Sequence, residues 1–199
     1  MCGICGFAHP DPDRPLDSAL LDHMTRSLAH RGPDDSGTTI LPHIGLGHRR
    51  LSVVGLASGH QPMTTPESDI HVTYNGEIYN FPAIRAELES EGLAFRTQSD
   101  TEVLLLGYRH WGMESLLARL VGMFAFALWD APQRRLYLVR DRLGVKPLYY
   151  AESPNGDLYF ASELRALRPV PDLDDRLHLP ALHHYLSLGY VVGQDTIIG

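Results

Sequence analysis

The sequence begins Met1-Cys2-Gly3-Ile4-Cys5-Gly6. The small residue at position 2 lets the initiator methionine be removed. Cys2 would then carry a thiol and a free α-amino group on one carbon. Unperturbed thiols and α-amines titrate at about 8.5 and about 7.7–8.0, both near neutrality. The amine can take the thiol proton, directly or through a water, which is a known route to covalent catalysis. The competing reading of Cys2 is a buried small hydrophobe. Cys2-x-x-Cys5 also fits a redox dithiol or half of a zinc site. Zinc would need two more ligands, and no second pair has the spacing. A redox dithiol normally follows a strand and opens a helix, whereas this pair lies at the chain start.

Three further groups could complete such chemistry. Asn75-Gly76-Glu77 reads either as a hairpin turn or as an oxyanion hole. In the second case the Asn75 side-chain amide and the Gly76 N–H would face a developing O⁻, with glycine permitting close backbone approach. His48-Arg49-Arg50-Leu51-Ser52 is either a solvated basic edge or a source of a bidentate clamp on a carboxylate. Asp100 is either a helix cap or an acceptor for an α-ammonium group. Thiol, oxyanion hole, carboxylate clamp and ammonium acceptor together suit an α-amino acid with an amide at its far end, and glutamine meets that description.

The elements that must position these residues follow from pattern. Residues 2–8 read as a strand and 17–30 as a helix, with apolar residues near helical spacing. His30-Arg31-Gly32-Pro33 ends that helix. Residues 38–41 and 45–54 have strand character. Residues 70–75 form a strand ending at the turn signal Asn75-Gly76. Residues 82–91 and 100–111 look helical, with Ser99-Asp100-Thr101-Glu102 as a capping box. Residues 123–130 and 135–140 read as a hairpin through 131–134. A second hairpin spans about 147–162, turning at Asn155-Gly156. Residues 180–187 read as a short helix. Strands cluster early and late with helices between, which predicts an α+β fold with two sheets face to face and helices outside.

A chain of 199 residues with 44% hydrophobic and 21% charged content is ordinary globular material. Its formal net charge of −7 argues against a nucleic-acid or anionic-membrane surface. No apolar run is long enough to span a bilayer, and no secretion signal is visible at the N-terminus. With only two cysteines, a reducing cytoplasm is the expected compartment.

Several strings then converge on one family. They are Met1-Cys2-Gly3-Ile4, His30-Arg31-Gly32-Pro33-Asp34-Asp35-Ser36-Gly37, His48-Arg49-Arg50-Leu51-Ser52-Val53 and Tyr74-Asn75-Gly76-Glu77-Ile78-Tyr79-Asn80. Further along come Ser99-Asp100-Thr101-Glu102-Val103, Gly122-Met123-Phe124-Ala125-Phe126-Ala127, Arg140-Asp141-Arg142-Leu143-Gly144-Val145-Lys146-Pro147-Leu148-Tyr149 and Ala161-Ser162-Glu163-Leu164. In this order, over about the first 170 residues, the chain resembles the class II glutamine amidotransferases, and specifically the N-terminal glutaminase domain of asparagine synthetases.

The resemblance implies an N-terminal-nucleophile hydrolase fold: a four-layer αββα sandwich of two stacked, mainly antiparallel sheets. It implies Cys2 as nucleophile and Asn75 with Gly76 as oxyanion hole. Arg50 would hold the glutamine carboxylate and Asp100 the α-ammonium. Glu77 and a strand of Leu51, Ser52, Val53 and Val54 would line the same pocket. Arg49 falls where the family varies, so it remains a basic edge. Gln98 departs from a frequent glycine and would alter only the rim. No metal is expected, and no cofactor for the glutaminase step.

The chain contains no Ser-Gly-Gly-x-Asp-Ser loop for pyrophosphate. ATP and Mg²⁺ are therefore expected only in a C-terminal synthetase domain of the same polypeptide, which would amidate aspartate. Residues 2–170 would be the glutaminase domain and 171–199 a tail or linker toward that domain. Its apolar end at Thr196-Ile197-Ile198-Gly199 suggests a piece of something longer. L-Glutamine is the expected small-molecule partner, with no nucleic acid and no membrane. Oligomeric state is open, a homodimer included. Also open are a different acceptor carboxylate, in a natural product or a peptide, and a non-catalytic binding or regulatory module if Met1 is retained.

Overall fold

A computed structural model describes residues 1–11, 14–51, 59–171 and 173–198. Cα proximity divides the chain into two compact units, residues 1–169 and 170–199. In the first unit, strands β1 (Gly3–Ala8), β2 (Asp35–Leu41), β3 (Ile44–Arg50), β8 (Tyr149–Glu152) and β9 (Leu158–Ala161) form one antiparallel sheet in the order β2-β3-β1-β9-β8. Strands β4 (Met63–Thr64), β5 (Ile70–Ile78), β6 (Gly122–Asp130) and β7 (Arg135–Arg140) form the other, in the order β4-β5-β6-β7.

The sheets face each other. Ile44 and Leu46 of β3, Phe160 of β9, and Ala127 and Trp129 of β6 share one buried cluster. Polar bonds cross the same gap: Thr73 Oγ1 donates to the Gly47 carbonyl at 3.1 Å, and His48 Nε2 lies 3.1 Å from the Tyr74 carbonyl. Helix α1 (Ser18–Ser27) packs on β1 and β3. Helices α2 (Phe81–Ser90) and α3 (Thr101–Arg119) pack on the outer face of the second sheet, where Ile84, Leu88, Leu104, Leu105 and Leu116 join Val72, Phe124 and Phe126. The layer order is therefore αββα, because each sheet has one face for its partner and one for helices. The second unit holds α4 (Leu179–Leu188), ended by Gly189 at φ 79°, and an antiparallel bridge of Leu177 with Ile198.

The hairpin through residues 131–134, the hairpin with Gly156 (φ 80°) at its turn, and helices near 17–30, 82–91 and 180–187 match the sequence reading within a few residues. Three expectations are corrected. Asn75-Gly76 is not a turn: β5 runs on to Ile78, with Asn75 opposite Ala125 and Gly76 opposite Phe124. Glycine is needed there for another reason, since a Cβ would lie 2.4 Å from the Met123 carbonyl oxygen.

The second correction concerns the capping box. Ser99 Oγ accepts from Thr101 N–H at 3.2 Å, but Glu102 turns its carboxylate to the N–H groups of Arg96 and Thr97 (2.9 and 2.7 Å), and Asp100 at the N-cap makes no side-chain cap bond. The third is the length of α3, which continues past residue 111 to Arg119 through a break at Gly112 (φ 78°). Strand β3 ends at Arg50, and the part of the expected strand at 52–54 lies outside the described residues.

Candidate active site

Between the two sheets at one edge of the first unit opens a cavity of about 230 Å³. Cys2, Asn75, Gly76, Glu77, Arg50, Leu51 and Asp100 all line it. Ser52, Val53 and Val54 lie outside the described residues. The structure therefore gathers residues from the segment before β1, from β3 and β5 and from the start of α3 that are up to 98 positions apart.

Cys2 sits one residue before β1, and the strand fixes it. Ile4 and Ser162 bind each other twice: Ile4 N–H donates to Ser162 Oγ (3.0 Å), and Ser162 N–H donates to the Ile4 carbonyl (2.8 Å). Arg31 Nε donates to the Cys2 carbonyl at 2.9 Å, while its Nη1 binds Glu163 Oε1 at 2.9 Å. A bridged guanidinium thus holds the main chain of the thiol residue. The Cys2 thiol lies 3.7 Å from the Leu51 carbonyl, a weak sulfur donor contact. Cys5 points elsewhere. It is fully buried, lies 3.4 Å from Thr25 Oγ1, and burial pushes its thiol up to about 12. That thiol is inert at neutral pH. Among the described residues no group of three or more His, Cys, Asp or Glu side chains could hold a metal ion.

Asn75 and Gly76 present hydrogen-bond donors at the cavity wall. Asn75 is 1% exposed, yet among the described residues its Nδ2 has no hydrogen-bond partner. A buried donor left unsatisfied costs about 1–3 kcal/mol, so such groups are rare and point to a task. An NH₂ beside an activated carbonyl has one, because it would gain a charged acceptor only as the O⁻ forms.

The cavity lining also carries charge. Arg50 is buried at the end of β3. Asp100 is also buried, and its Oδ2 accepts from Tyr74 Oη (2.7 Å) and Ile78 N–H (3.2 Å). Burial raises the Asp100 carboxyl above its ordinary value, and the nearby Glu77 adds to this. The two donors oppose the shift without cancelling it. The Tyr74 phenol is driven well above its usual range by burial and by Asp100, so it stays a neutral donor. Gln61, another wall residue, accepts from Tyr74 N–H at 2.6 Å and reaches Thr101 Oγ1 at 3.4 Å. His48, beneath Tyr74, is pushed down to about 4 by burial; it is neutral at pH 7, so its Nε2–H donates to the Tyr74 carbonyl.

Sequence reasoning gave no role to Tyr74, Gln61, Arg31, Glu163 or Ser162. All but Gln61 belong to strings quoted above, so their presence was visible while their contacts were not. Gln61, in Gly59-His60-Gln61-Pro62, carried no signal.

Helices flank two facing antiparallel sheets in an αββα body. The glutamine phosphoribosylpyrophosphate amidotransferase of B. subtilis, solved with ADP and GMP, shares this fold. Its TM-score is 0.70 at 20% identity, over 85% of this chain and 43% of that one.

Residues 1–199 match the glutamine amidotransferase domain model, and the chain belongs to that family. It is 40% identical over 199 residues to asparagine synthetase (glutamine-hydrolyzing) 1 of Bacillus subtilis (strain 168), covering 99% of this chain and 31% of that protein. A probable asparagine synthetase (glutamine-hydrolyzing) of Schizosaccharomyces pombe is 38% identical over 190 residues, covering 94% of this chain and 33% of the relative. The chain thus spans about a third of the length of these relatives. Glutamine amidotransferase domains of this kind need no cofactor. No described helix is long and apolar enough to cross a membrane.

Proposed function

We propose that this domain hydrolyses L-glutamine to glutamate and ammonia through a thioester on Cys2. The observation that supports it best is the gathering of Cys2, Asn75, Gly76, Arg50 and Asp100 around one cavity. The α-carboxylate of glutamine pairs with Arg50, whose planar fork matches it. The α-ammonium pairs with Asp100 and faces Glu77, and Leu51 lines the side. The amide carbonyl then lies toward Asn75 and Gly76. Cys2 sulfur attacks its carbon, the thiol proton passes to the α-amine of Cys2, and the carbonyl electrons move onto oxygen. The C–N bond breaks as that amine returns its proton to the leaving ammonia. Water then cleaves the thioester.

Met1 lines the cavity, so its removal frees the amine and opens the site at once. Processed protein given glutamine should release glutamate and ammonia one to one, and Cys2→Ala should release neither while keeping its fold. Turnover by Cys2→Ala comparable to the parent would end the proposal.

In the longer protein we infer that ammonia is passed to an aspartate activated by ATP and Mg²⁺ in a synthetase domain of the same polypeptide. The relatives' names and their threefold greater length support this. Residues 2–170 would then be the glutaminase domain and 171–199 the connection. Leu179, Leu186 and Tyr190 are 68%, 74% and 61% exposed, an apolar surface suited to cover by that domain. We place this reaction in the cytoplasm, where thiols stay reduced.

A further inference from the structure

One string of the sequence, Arg140 to Tyr149, has no part in the chemistry above, yet it brings Lys146 to the cavity lining. Asp141 is the anchor. Its carboxylate accepts four main-chain N–H groups: Phe124 at 3.2 Å, Leu143 at 3.1 Å, and Val145 and Lys146 at 2.9 Å each. Burial alone would raise this carboxyl, but these donors outweigh it and hold it below the usual carboxylate range. Arg140 grips the loop from the other side, donating from Nε to the Lys146 carbonyl (2.8 Å) and from Nη2 to the Gly144 carbonyl (2.6 Å). Gly144 has φ 65°, and a Cβ there would lie 2.9 Å from Arg140 Cζ, so the turn tolerates little else.

The loop delivers Lys146. Its N–H and that of Phe124 share one oxygen of Asp141, and Phe124 is the β6 partner of Gly76. The main chain of Lys146 therefore sits beside the strand pair that carries the amide donors. Lys146 is 6% exposed and lines the cavity with Cys2, Asn75 and Gly76. Among the described residues the Lys146 ammonium forms no ion pair, although Glu77 and Asp100 line the same cavity. Burying a cation away from a fixed counter-charge is costly. The cost is offset where the reaction itself produces an anion.

We propose that Lys146 is a third oxyanion donor, its ammonium joining Asn75 Nδ2 and the Gly76 N–H around the O⁻ of the tetrahedral intermediate. The inference rests on the Cys2 thioester reading. Lys146 donates a hydrogen bond as the carbonyl π pair moves to oxygen.

The test compares processed wild type, Lys146→Met and Lys146→Arg, with L-glutamate and its γ-semialdehyde as inhibitors. The semialdehyde adds the Cys2 thiol across its C=O and places an oxygen in the oxyanion position; glutamate does not. Cyclisation of the semialdehyde in water lowers the free aldehyde equally for every variant, so ratios stand. Lys146→Met should weaken semialdehyde inhibition at least about tenfold and lower kcat by about 10–10². The KM for glutamine and glutamate inhibition should change less than about threefold, and Lys146→Arg should recover part of the loss. Active wild type with both inhibitors weakened together, or neither, overturns the role of Lys146 alone. A wild type that neither turns over nor binds the semialdehyde overturns the Cys2 reading, and the role of Lys146 with it.

Discussion

Two groups of residues around the cavity are built differently. In the reactive group, main-chain contacts set position. Cys2 is held through its carbonyl and through the first strand, Gly76 by a strand pair that leaves no room for a Cβ, and Lys146 by a loop tied to one carboxylate. In the recognition group, side chains do the work: Arg50 and Asp100 are buried charges, and Asp100 is oriented by Tyr74. The lesson is a division of labour. Donors aimed at charge that appears only during reaction must be fixed beforehand. Charges that read a substrate present from the start need only be complementary to it.

That division can be broken from either side. The largest expected effect is at Asn75. Asn75→Ala removes the unpaired Nδ2 and should lower kcat by about 10²–10³, with a much smaller change in KM. An intact kcat would leave Asn75 as no more than a buried strand residue. Next comes Arg50→Lys, which keeps the charge and loses the fork. It should raise the KM for glutamine by about tenfold, the scale of one lost charge-assisted hydrogen bond, with kcat within a few-fold. An unchanged KM would place the carboxylate elsewhere.

The smallest effect is in pH. Only ionised Asp100 attracts an ammonium group. Its carboxyl is raised by burial, so KM should climb as pH falls through that raised value, starting at higher pH than an ordinary aspartate would give. Steady-state KM from pH 8 downward tests this, and Asp100→Asn should show a high KM with the acid rise gone. An acid rise retained in Asp100→Asn would assign it to another group.

How much of this was legible in the sequence depends on whether a residue's task is local. The β6–β7 hairpin could be read because alternation and a four-residue turn act within about twenty residues. Asn75-Gly76 misled because Asn-Gly favours a turn locally, whereas Phe124, 48 positions on in the chain from Gly76, fixes it in a strand. Asp100 could be read locally as a cap or as an ammonium acceptor, whereas its contacts to the Tyr74 phenol and the Ile78 N–H are tertiary. The family strings pointed to Cys2, Asn75, Gly76, Arg50, Glu77 and Asp100, and the structure brings all six to one cavity. They could not show that Arg31 holds Cys2 or that Lys146 enters the cavity, since both facts are tertiary.

The central claim is that Cys2 acts with its own α-amine, and one measurement addresses it most directly. Protein whose intact mass shows Met1 removed is compared with protein carrying an uncleavable residue before Cys2, both assayed for glutamate release. The extension keeps the thiol, turns the amine into a non-basic amide and occupies space in the cavity that Met1 lines. The processed form should hydrolyse glutamine, and the extended form should lose at least about a thousandfold of that rate, comparable to removing an essential general base. Equal rates from the two forms would contradict the N-terminal-nucleophile mechanism.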